Sequence, residues 1–345
     1  MRIFALTVKI RMKSQTSILF AALAAAVAVL FAADLAVGSV SVPLKDVWAA
    51  LTGGETAPAT AKIIREIRLM KAVTAVLAGA ALAVSGLQMQ TLFRNPLAGP
   101  YVLGISSGAS LGVALFILGT PIVGAAGSSL LADFGVAGAA WLGSAAILVI
   151  IAAVSRRIKD IMVILILGMM FSSGVGAVVQ ILQYLSHEDA LKTFVVWTMG
   201  SLGEVTAVQL RLLASAVAAG LLLAMFTLKP LNLLLLGENY ARTMGLDTGR
   251  ARRLVFASTT LLAGTVTAFC GPVGFIGLAV PHVARLMFRN ADHRILMPAS
   301  ALTGSVVLLV CDIVSKWLAL PVNTITALIG IPVVVWVVVR NKSVM

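Results

Sequence analysis

Side chains that could do chemistry are few in this chain and far apart in the sequence. The two cysteines, Cys270 and Cys311, both fall in apolar stretches, and we interpret them as small buried hydrophobes, with a metal-binding thiol pair as the alternative. The three histidines, His187, His282 and His293, lack the spacing of metal ligands. The sequence has no Gly-x4-Gly-Lys-Ser/Thr loop for binding nucleotide phosphates. We therefore expect no catalytic site, metal site or bound cofactor on this chain.

Acidic side chains are equally scarce where the chain is apolar. Asp34 and Asp312 are the only carboxylates within or near the apolar stretches, and Asp312 is spaced i, i+4 from Lys316, with which it could pair. A proton-driven carrier often has carboxylates in several of its membrane segments. The pattern therefore predicts that the energy for any transport comes from a partner.

The elements that contain these residues are long apolar segments. Hydrophobic residues make up 60% of the 345 residues, charged residues only 11%, and the mean hydropathy is +1.05. Segments of this kind are long enough to cross a hydrocarbon layer of ~30 Å as helices, and they lack the alternation of β-barrel strands. We predict an all-α membrane protein, a single domain over residues 1–345. Its ten spans lie at roughly 17–37, 72–91, 101–118, 134–154, 161–184, 207–228, 254–270, 273–288, 297–317 and 323–339.

The N-terminal segment has two interpretations. Basic residues followed by an apolar run could form a signal peptide. The apolar run from Ile18 to about Val37 is longer than a usual signal core, which favours a retained first helix.

The net charge of +13 follows from topology. With ten spans and both termini inside, the inner segments contain 18 of the 26 Lys and Arg residues and only four of the 13 acids. This is the positive-inside bias of membrane proteins, so a nucleic-acid partner is not needed to explain the basicity.

A weak internal repeat is also visible. Leu77-Ala-Gly79 matches Leu262-Ala-Gly264 at an offset of 185, and Leu97-Ala-x-Pro100 matches Leu278-Ala-x-Pro281 at an offset of 181. The copies lie five spans apart, so they must cross the membrane in opposite senses, as in five-plus-five inverted-repeat transporters. Chance recurrence of small residues is the alternative.

A series of ordered motifs covers residues 65 to 340, and together they resemble the family of permease subunits of importers for iron-siderophore complexes, haem and cobalamin. The first group is Arg68-Leu-Met-Lys71, Gly79-Ala-Ala-Leu-Ala-Val-Ser-Gly86, Gln90, Arg94-Asn-Pro-Leu-Ala98, Pro100, Leu103-Gly104 and Gly108-Ala109. The second group is Trp197-Thr-Met-Gly-Ser-Leu202, Leu235-Leu-Gly-Glu238, Met244-Gly245, Gly274-Phe-Ile-Gly-Leu278, Pro281-His282, Arg285, Asp292-His293-Arg294, Asp312, Thr326-Ala-Leu-Ile-Gly330 and Pro332.

The resemblance implies a type II ABC importer permease in the bacterial inner membrane. It implies two copies of the chain around a central pathway, two cytoplasmic ATPase subunits that bind ATP and Mg, and a substrate-binding protein that docks outside. Membrane lipid surrounds the assembly. The substrate would be a metal chelate: an iron-siderophore complex, haem or cobalamin. A stand-alone secondary transporter or channel is the alternative function.

The resemblance also assigns roles to residues. The basic segment 229–253 is predicted to begin where Pro230 breaks the sixth helix. In this segment the resemblance implies two short helices that insert into the ATPase, with Leu236, Gly237, Glu238, Ala241 and Gly245 as coupling residues; an ordinary basic cytosolic loop is the alternative. Three basic residues would receive the binding protein: Arg68, Lys71 and Lys316. They could instead bind lipid headgroups or pair with Glu66 and Asp312.

The resemblance also implies an inner gate where the fourth and fifth spans meet, at Asp160, Ile161 and Met162; an ordinary helix start would suit the same residues. The chain departs from the family pattern around its last Leu-Pro. Ala319 stands where a glutamate is common, and Asn323 where a glycine is common.

Overall fold

The computed structural model describes residues 2–38, 41–119, 130–155, 158 and 160–341, and in these ranges the chain forms thirteen helices and no strand. The first seven helices are α1 (Arg2–Ala36), α2 (Leu44–Thr52), α3 (Pro58–Leu92), α4 (Ile105–Ile117), α5 (Leu130–Ser155), α6 (Ile161–Leu185) and α7 (Glu188–Thr198). The other six are α8 (Ala207–Leu234), α9 (Glu238–Thr243), α10 (Thr248–Cys270), α11 (Ile276–Phe288), α12 (His293–Leu318) and α13 (Val322–Asn341).

Ten of these helices account for the ten predicted spans. Six are long and apolar enough to cross a membrane by themselves: α1, α3, α6, α8, α10 and α12. Four shorter apolar helices, α4, α5, α11 and α13, supply the third, fourth, eighth and tenth spans. Four predicted inner basic residues lie outside the described residues: Arg156, Arg157, Lys159 and Lys342.

The prediction that Pro230 breaks the sixth helix is wrong, because α8 continues through Pro230 to Leu234. Pro281 is likewise inside α11. A proline removes one backbone donor, and a membrane helix tolerates this when packing and neighbouring groups hold it in place.

Close backbone contacts between glycines join pairs of spans. A Cβ atom on Gly79 of α3 would overlap the carbonyl of Gly304 on α12, and the reverse is also true. In the same way, a Cβ atom on Gly108 of α4 would overlap the carbonyl of Gly143 on α5, and a Cβ atom on Gly143 would overlap the carbonyl of Gly108. Small residues let helices approach closely where lipid removes the hydrophobic drive for association.

The packing of the spans has the symmetry expected of a five-plus-five repeat. The second span, α3, packs on the ninth, α12, and their counterparts five spans away, α10 and α5, also pack together. The third span packs on the fourth and fifth, just as the eighth packs on the ninth and tenth. The all-helical architecture predicted from the sequence is therefore confirmed.

Candidate coupling and docking sites

An ionic cluster joins α1, α3 and α12 at one end of the bundle. The Lys316 ammonium lies 2.8 Å from Asp34 Oδ1 and 2.9 Å from Asp312 Oδ2, and the Lys71 ammonium lies 3.0 Å from Asp312 Oδ1. Both carboxylates are fully buried, whereas the Lys71 and Lys316 side chains are 20% and 9% exposed. We call these four residues the ionic cluster. Charges this deeply buried need partners, and each of the four has at least one.

Arg68 lies beside the ionic cluster and holds the end of α1. Its guanidinium donates to the carbonyls of Leu35 and Ala36 at 2.9 and 2.8 Å, and the residue is 5% exposed. A cation at the last carbonyls of a helix satisfies acceptors that have no intrahelical donor. Arg68 and Lys316 thus fix the first span to the core from two sides.

The three predicted docking residues are therefore neighbours, and all are engaged within the chain. Of the two intramolecular partners considered from the sequence, Asp312 is found, whereas Glu66 instead lies 3.9 Å from Lys62 on the surface. A cavity of about 250 Å³ reaches Lys71, Lys316 and Ser201, which leaves space for another polar group. The docking role stays a prediction.

The candidate coupling segment, residues 229–253, contains two turns that glycines make possible. Gly237 has φ +105° and precedes α9, and Gly245 has φ +83° and follows it. Asp247 then caps α10, accepting from the Arg250 backbone N–H at 3.0 Å. That hydrogen bond, more than the nearby arginines, lowers the pKa of the Asp247 carboxyl. The segment holds one short helix, α9, and then the first turns of the seventh span, rather than two separate short helices.

Glu238 locks α9 to α10. Its two carboxylate oxygens accept from the Arg252 guanidinium at 2.7 and 2.8 Å, and Oε1 also accepts from Arg242 at 2.7 Å. Ala241, on the same helix, is fully buried. The segment is therefore a braced element rather than a floppy loop. The sequence did not reveal Arg252 as the partner, because a contact 14 residues away across a turn has no local signature.

An apolar ridge is exposed on the braced segment. Leu236 precedes the Gly237 turn, Tyr240 lies on α9 and Met244 follows its end, and the three side chains are 62%, 50% and 59% exposed. Charged residues such as Glu238 and Arg242 lie between them along the chain. Large apolar side chains exposed on one short segment are typical of a protein contact site. Of these three residues only Leu236 was predicted from the sequence as a coupling residue, and Met244 was named only as part of a family motif.

The predicted gate residues form the start of α6. Asp160 caps the helix, its carboxylate accepting from the Met162 backbone N–H at 2.8 Å. Ile161 packs against the core, whereas Met162 is 43% exposed. The geometry is that of a capped helix start, and the gate role stays a prediction.

Similar chains share this architecture over nearly their whole length. A solved structure of a metal-chelate type ABC transporter, in an inward-facing conformation, has a TM-score of 0.81 and 29% sequence identity, covering 94% of this chain and 99% of that one. The hemin transport system permease protein of Yersinia pestis is 36% identical over 311 residues, which are 89% of this chain and 90% of that protein. The vitamin B12 import system permease protein of Klebsiella pneumoniae is 35% identical over 284 residues, 81% of this chain and 83% of that protein.

The ten-span fold and these relatives define the class: a multi-pass transport permease of the inner membrane, of the ABC transporter type. Residues 23–340 match the model of the FecCD transport family, and the chain belongs to that family.

Proposed function

We propose that the chain is the membrane-spanning subunit of a binding-protein-dependent ABC importer that carries a metal chelate into the cytoplasm. The observation that carries the proposal is the braced α9 with its exposed Leu236–Tyr240–Met244 ridge. A chain without a nucleotide-binding loop of its own needs such a surface to bind the ATPase subunit that drives transport.

The brace explains how that surface could transmit force. Glu238 fastens α9 to Arg252, and α10 continues from Arg252 into the membrane as one helix. A push on the apolar ridge would therefore move the seventh span instead of bending a loop. Leu236, Gly237, Glu238, Ala241 and Gly245 are the proposed coupling residues.

The ionic cluster is the proposed docking site for the substrate-binding protein. Carboxylates of the partner would approach Lys71 and Lys316 through the cavity beside them and compete with Asp34 and Asp312. Arg68 contributes positive charge behind the cluster while holding α1. Complementary charge at such a surface acts mainly on the association rate.

We propose that α6 contacts a second copy of the chain and lines the transport pathway. Met170, Ile181 and Tyr184 of this helix are 64%, 59% and 89% exposed. Beside them a groove of about 310 Å³ includes Ser107 and Gln180. Polar side chains on a membrane span favour a water-filled path over lipid. The gate proposed at Asp160, Ile161 and Met162 lies at the beginning of the same helix.

The relatives are named for hemin and vitamin B12, and the solved structure for a metal chelate. We assign this chain a bulky chelate of that kind. The binding protein would select it, so the pathway would not need to coordinate the metal.

Orientation follows from the charge bias, with both termini and the 229–253 segment in the cytoplasm. Single cysteines at Glu55 and Glu188 should react with an impermeant thiol reagent in intact cells, and one at Arg250 should not. Labelling of position 250 from outside would show that the chain has the opposite orientation in the membrane.

The central test is a comparison of two exposed aromatic side chains. Tyr240→Glu should abolish co-purification of the ATPase subunit with the permease, because it places a charge in the middle of the apolar ridge. Trp48→Glu, an equally drastic change at an exposed aromatic residue on α2, should retain the ATPase. If Tyr240→Glu assembles and hydrolyses ATP like the unaltered complex, the ridge is not the ATPase contact.

A further inference from the structure

The ends of three spans meet in a hydrogen-bonded node close to the coupling segment. Asn232 lies in the last turn of α8, Asp292 and His293 begin α12, and Thr91 lies in the last turn of α3. His293 and Thr91 are 1% and 4% exposed. We call these four residues the α8–α12–α3 node.

The hydrogen bonds of Asn232 fix the orientation of its amide. Asn232 Oδ1 accepts from the His293 backbone N–H at 2.9 Å and from His293 Nδ1 at 2.7 Å, and Asn232 Nδ2 donates to Asp292 Oδ1 at 2.6 Å. Because a carboxylate can only accept, the amide orientation is fixed, and Nδ1 of His293 must carry a proton. On its other side, His293 Nε2 is 2.8 Å from the Thr91 hydroxyl on α3, which is also 3.0 Å from the Leu87 carbonyl.

Asp292 anchors the node to the start of α12. The same Oδ1 that receives Asn232 also accepts from the Arg294 backbone N–H at 2.9 Å, so Asp292 caps the helix. This cap, and then the Asn232 amide, lower the pKa of the Asp292 carboxyl. Asn232 thus contacts the first turn of α12 at three atoms, each with directional geometry.

From the node, α3 and α12 run together to the ionic cluster as one rigid pair. Gly79 and Gly304 bring their backbones into direct contact, and Ser305 Oγ donates to the Val76 carbonyl at 2.9 Å. At the far end Lys71 and Lys316 share Asp312. Lys71 and Thr91 are separated by about 30 Å along α3, given a rise of 1.5 Å per residue. The pair therefore links opposite ends of the bundle.

The node also adjoins the coupling segment. Asn232 lies two residues before the end of α8 and six residues before Glu238, the first residue of α9. The Gly237 turn lies between the two helices. A displacement of α9 thus reaches Asn232 through less than two helical turns of chain. We infer that Asn232, His293 and Thr91 are positioning residues that transmit displacement of the coupling helix to the α3–α12 pair and so to the ionic cluster. This inference rests on the proposed function for its biological meaning, but the mechanical link can be measured on the chain alone.

The test uses spin labels on the full chain in lipid nanodiscs. Labels at Tyr240→Cys on α9 and Ile67→Cys at the far end of α3, both exposed positions, report the distance across the bundle, with Cys270 and Cys311 replaced by alanine. Asn232→Leu cuts the link to α8, and Thr91→Val cuts the link to α3 with almost no change in volume. Each should widen the distance distribution. Asn323→Leu is the matched control, because its amide also accepts a backbone N–H, from Gly274 at 2.9 Å, away from the node.

The double variant distinguishes a relay from two independent contacts. If the two contacts act in series, breaking either one already interrupts the relay. The double variant Asn232→Leu with Thr91→Val should therefore broaden the distance distribution no more than the single variant with the larger effect. An unchanged distribution in either single variant, or a double variant whose broadening is the sum of the two, overturns the relay.

In the assembled complex the same variants should uncouple hydrolysis from docking. We expect stimulation of ATP hydrolysis by the binding protein to fall about fivefold or more, the size of a typical coupling between sites, while basal hydrolysis persists. A parallel loss of basal and stimulated hydrolysis would mean a purely structural role and would contradict the relay. If no ATPase associates with the unaltered chain, the proposed function fails, and the spin-label result still decides the mechanical link.

Discussion

The α3–α12 pair ends in two different kinds of polar contact, ionic at one end and hydrogen-bonded between largely neutral groups at the other. In the ionic cluster, Lys316 lies between two carboxylates at nearly equal distances, and Asp312 between two ammonium groups. Ammonium and carboxylate groups attract without strict direction, so partners can be exchanged. In the α8–α12–α3 node, the contacts of Asn232 are directional hydrogen bonds, and a shift of one helix breaks them.

This difference suits two different tasks. An ionic contact that can exchange partners suits a surface that must receive another protein's carboxylates. A directional network suits a joint that must carry displacement. Both ends are in low dielectric, where removing one partner leaves the other costly to bury.

The ionic end should be the more sensitive to loss of one group. Asp312→Asn leaves Lys71 without its carboxylate and Lys316 with Asp34 alone, and we expect a loss of about 3 kcal/mol of stability. Thr91→Val at the other end removes a neutral hydroxyl that contacts His293 and the Leu87 carbonyl, a loss of about 1 kcal/mol. Thermal unfolding in detergent should show a clearly larger shift for Asp312→Asn. Equal shifts would remove the distinction between the two ends. Glu66→Gln, on the surface, should leave the midpoint unchanged.

The brace on α9 offers a charge-swap test of the coupling side. Glu238→Arg places three guanidinium groups together and should abolish stimulated ATP hydrolysis, whereas Glu238→Arg with Arg252→Glu restores one ion pair. We expect the double variant to recover at least about a third of the coupling, given the non-additivity of contacting residues. An unaffected Glu238→Arg complex would show that the brace is not needed for coupling. A double variant no better than the single would instead assign Glu238 a direct contact with the ATPase.

The smallest effect is expected at the docking surface. Lys71→Met retains the aliphatic stem and removes one charge, so association of the binding protein should slow a few-fold and depend less on salt. Lys62→Met, an exposed lysine outside the ionic cluster, is the control. Rate constants from surface plasmon resonance across a salt series measure both properties. Identical rates and salt dependence for Lys71→Met and the unaltered chain would contradict docking at the cluster.

The sequence predicted the spans well because lipid imposes a length and a hydropathy that are read locally. It predicted less of the contacts between them. Asp34 and Lys316 are in contact although 282 residues separate them in the sequence, and no local sequence pattern at either residue indicates the contact. The i, i+4 pair of Asp312 and Lys316 was expected from helical spacing and is present, but its extension to Lys71 and Asp34 is tertiary.

Glycine and proline positions show the same limit. Gly104 and Gly108 are spaced by four, a spacing that would put both on one face of a helix. Gly108 packs the third span closely against Gly143, whereas Gly104 lies before the helix with φ +79°. Pro230 was expected to end a helix that continues past it. In each case neighbouring spans determine whether a local preference is expressed.

The most direct test of the central claim is the mass of the complex that the chain forms in its own membrane. The tagged chain, extracted in mild detergent and examined by native mass spectrometry, should appear as two copies bound to two ATPase subunits, and substrate uptake into vesicles should stop when ATP is removed. A chain that is isolated without an ATPase and still transports its substrate in vesicles depleted of ATP would contradict the account and favour a stand-alone carrier or channel.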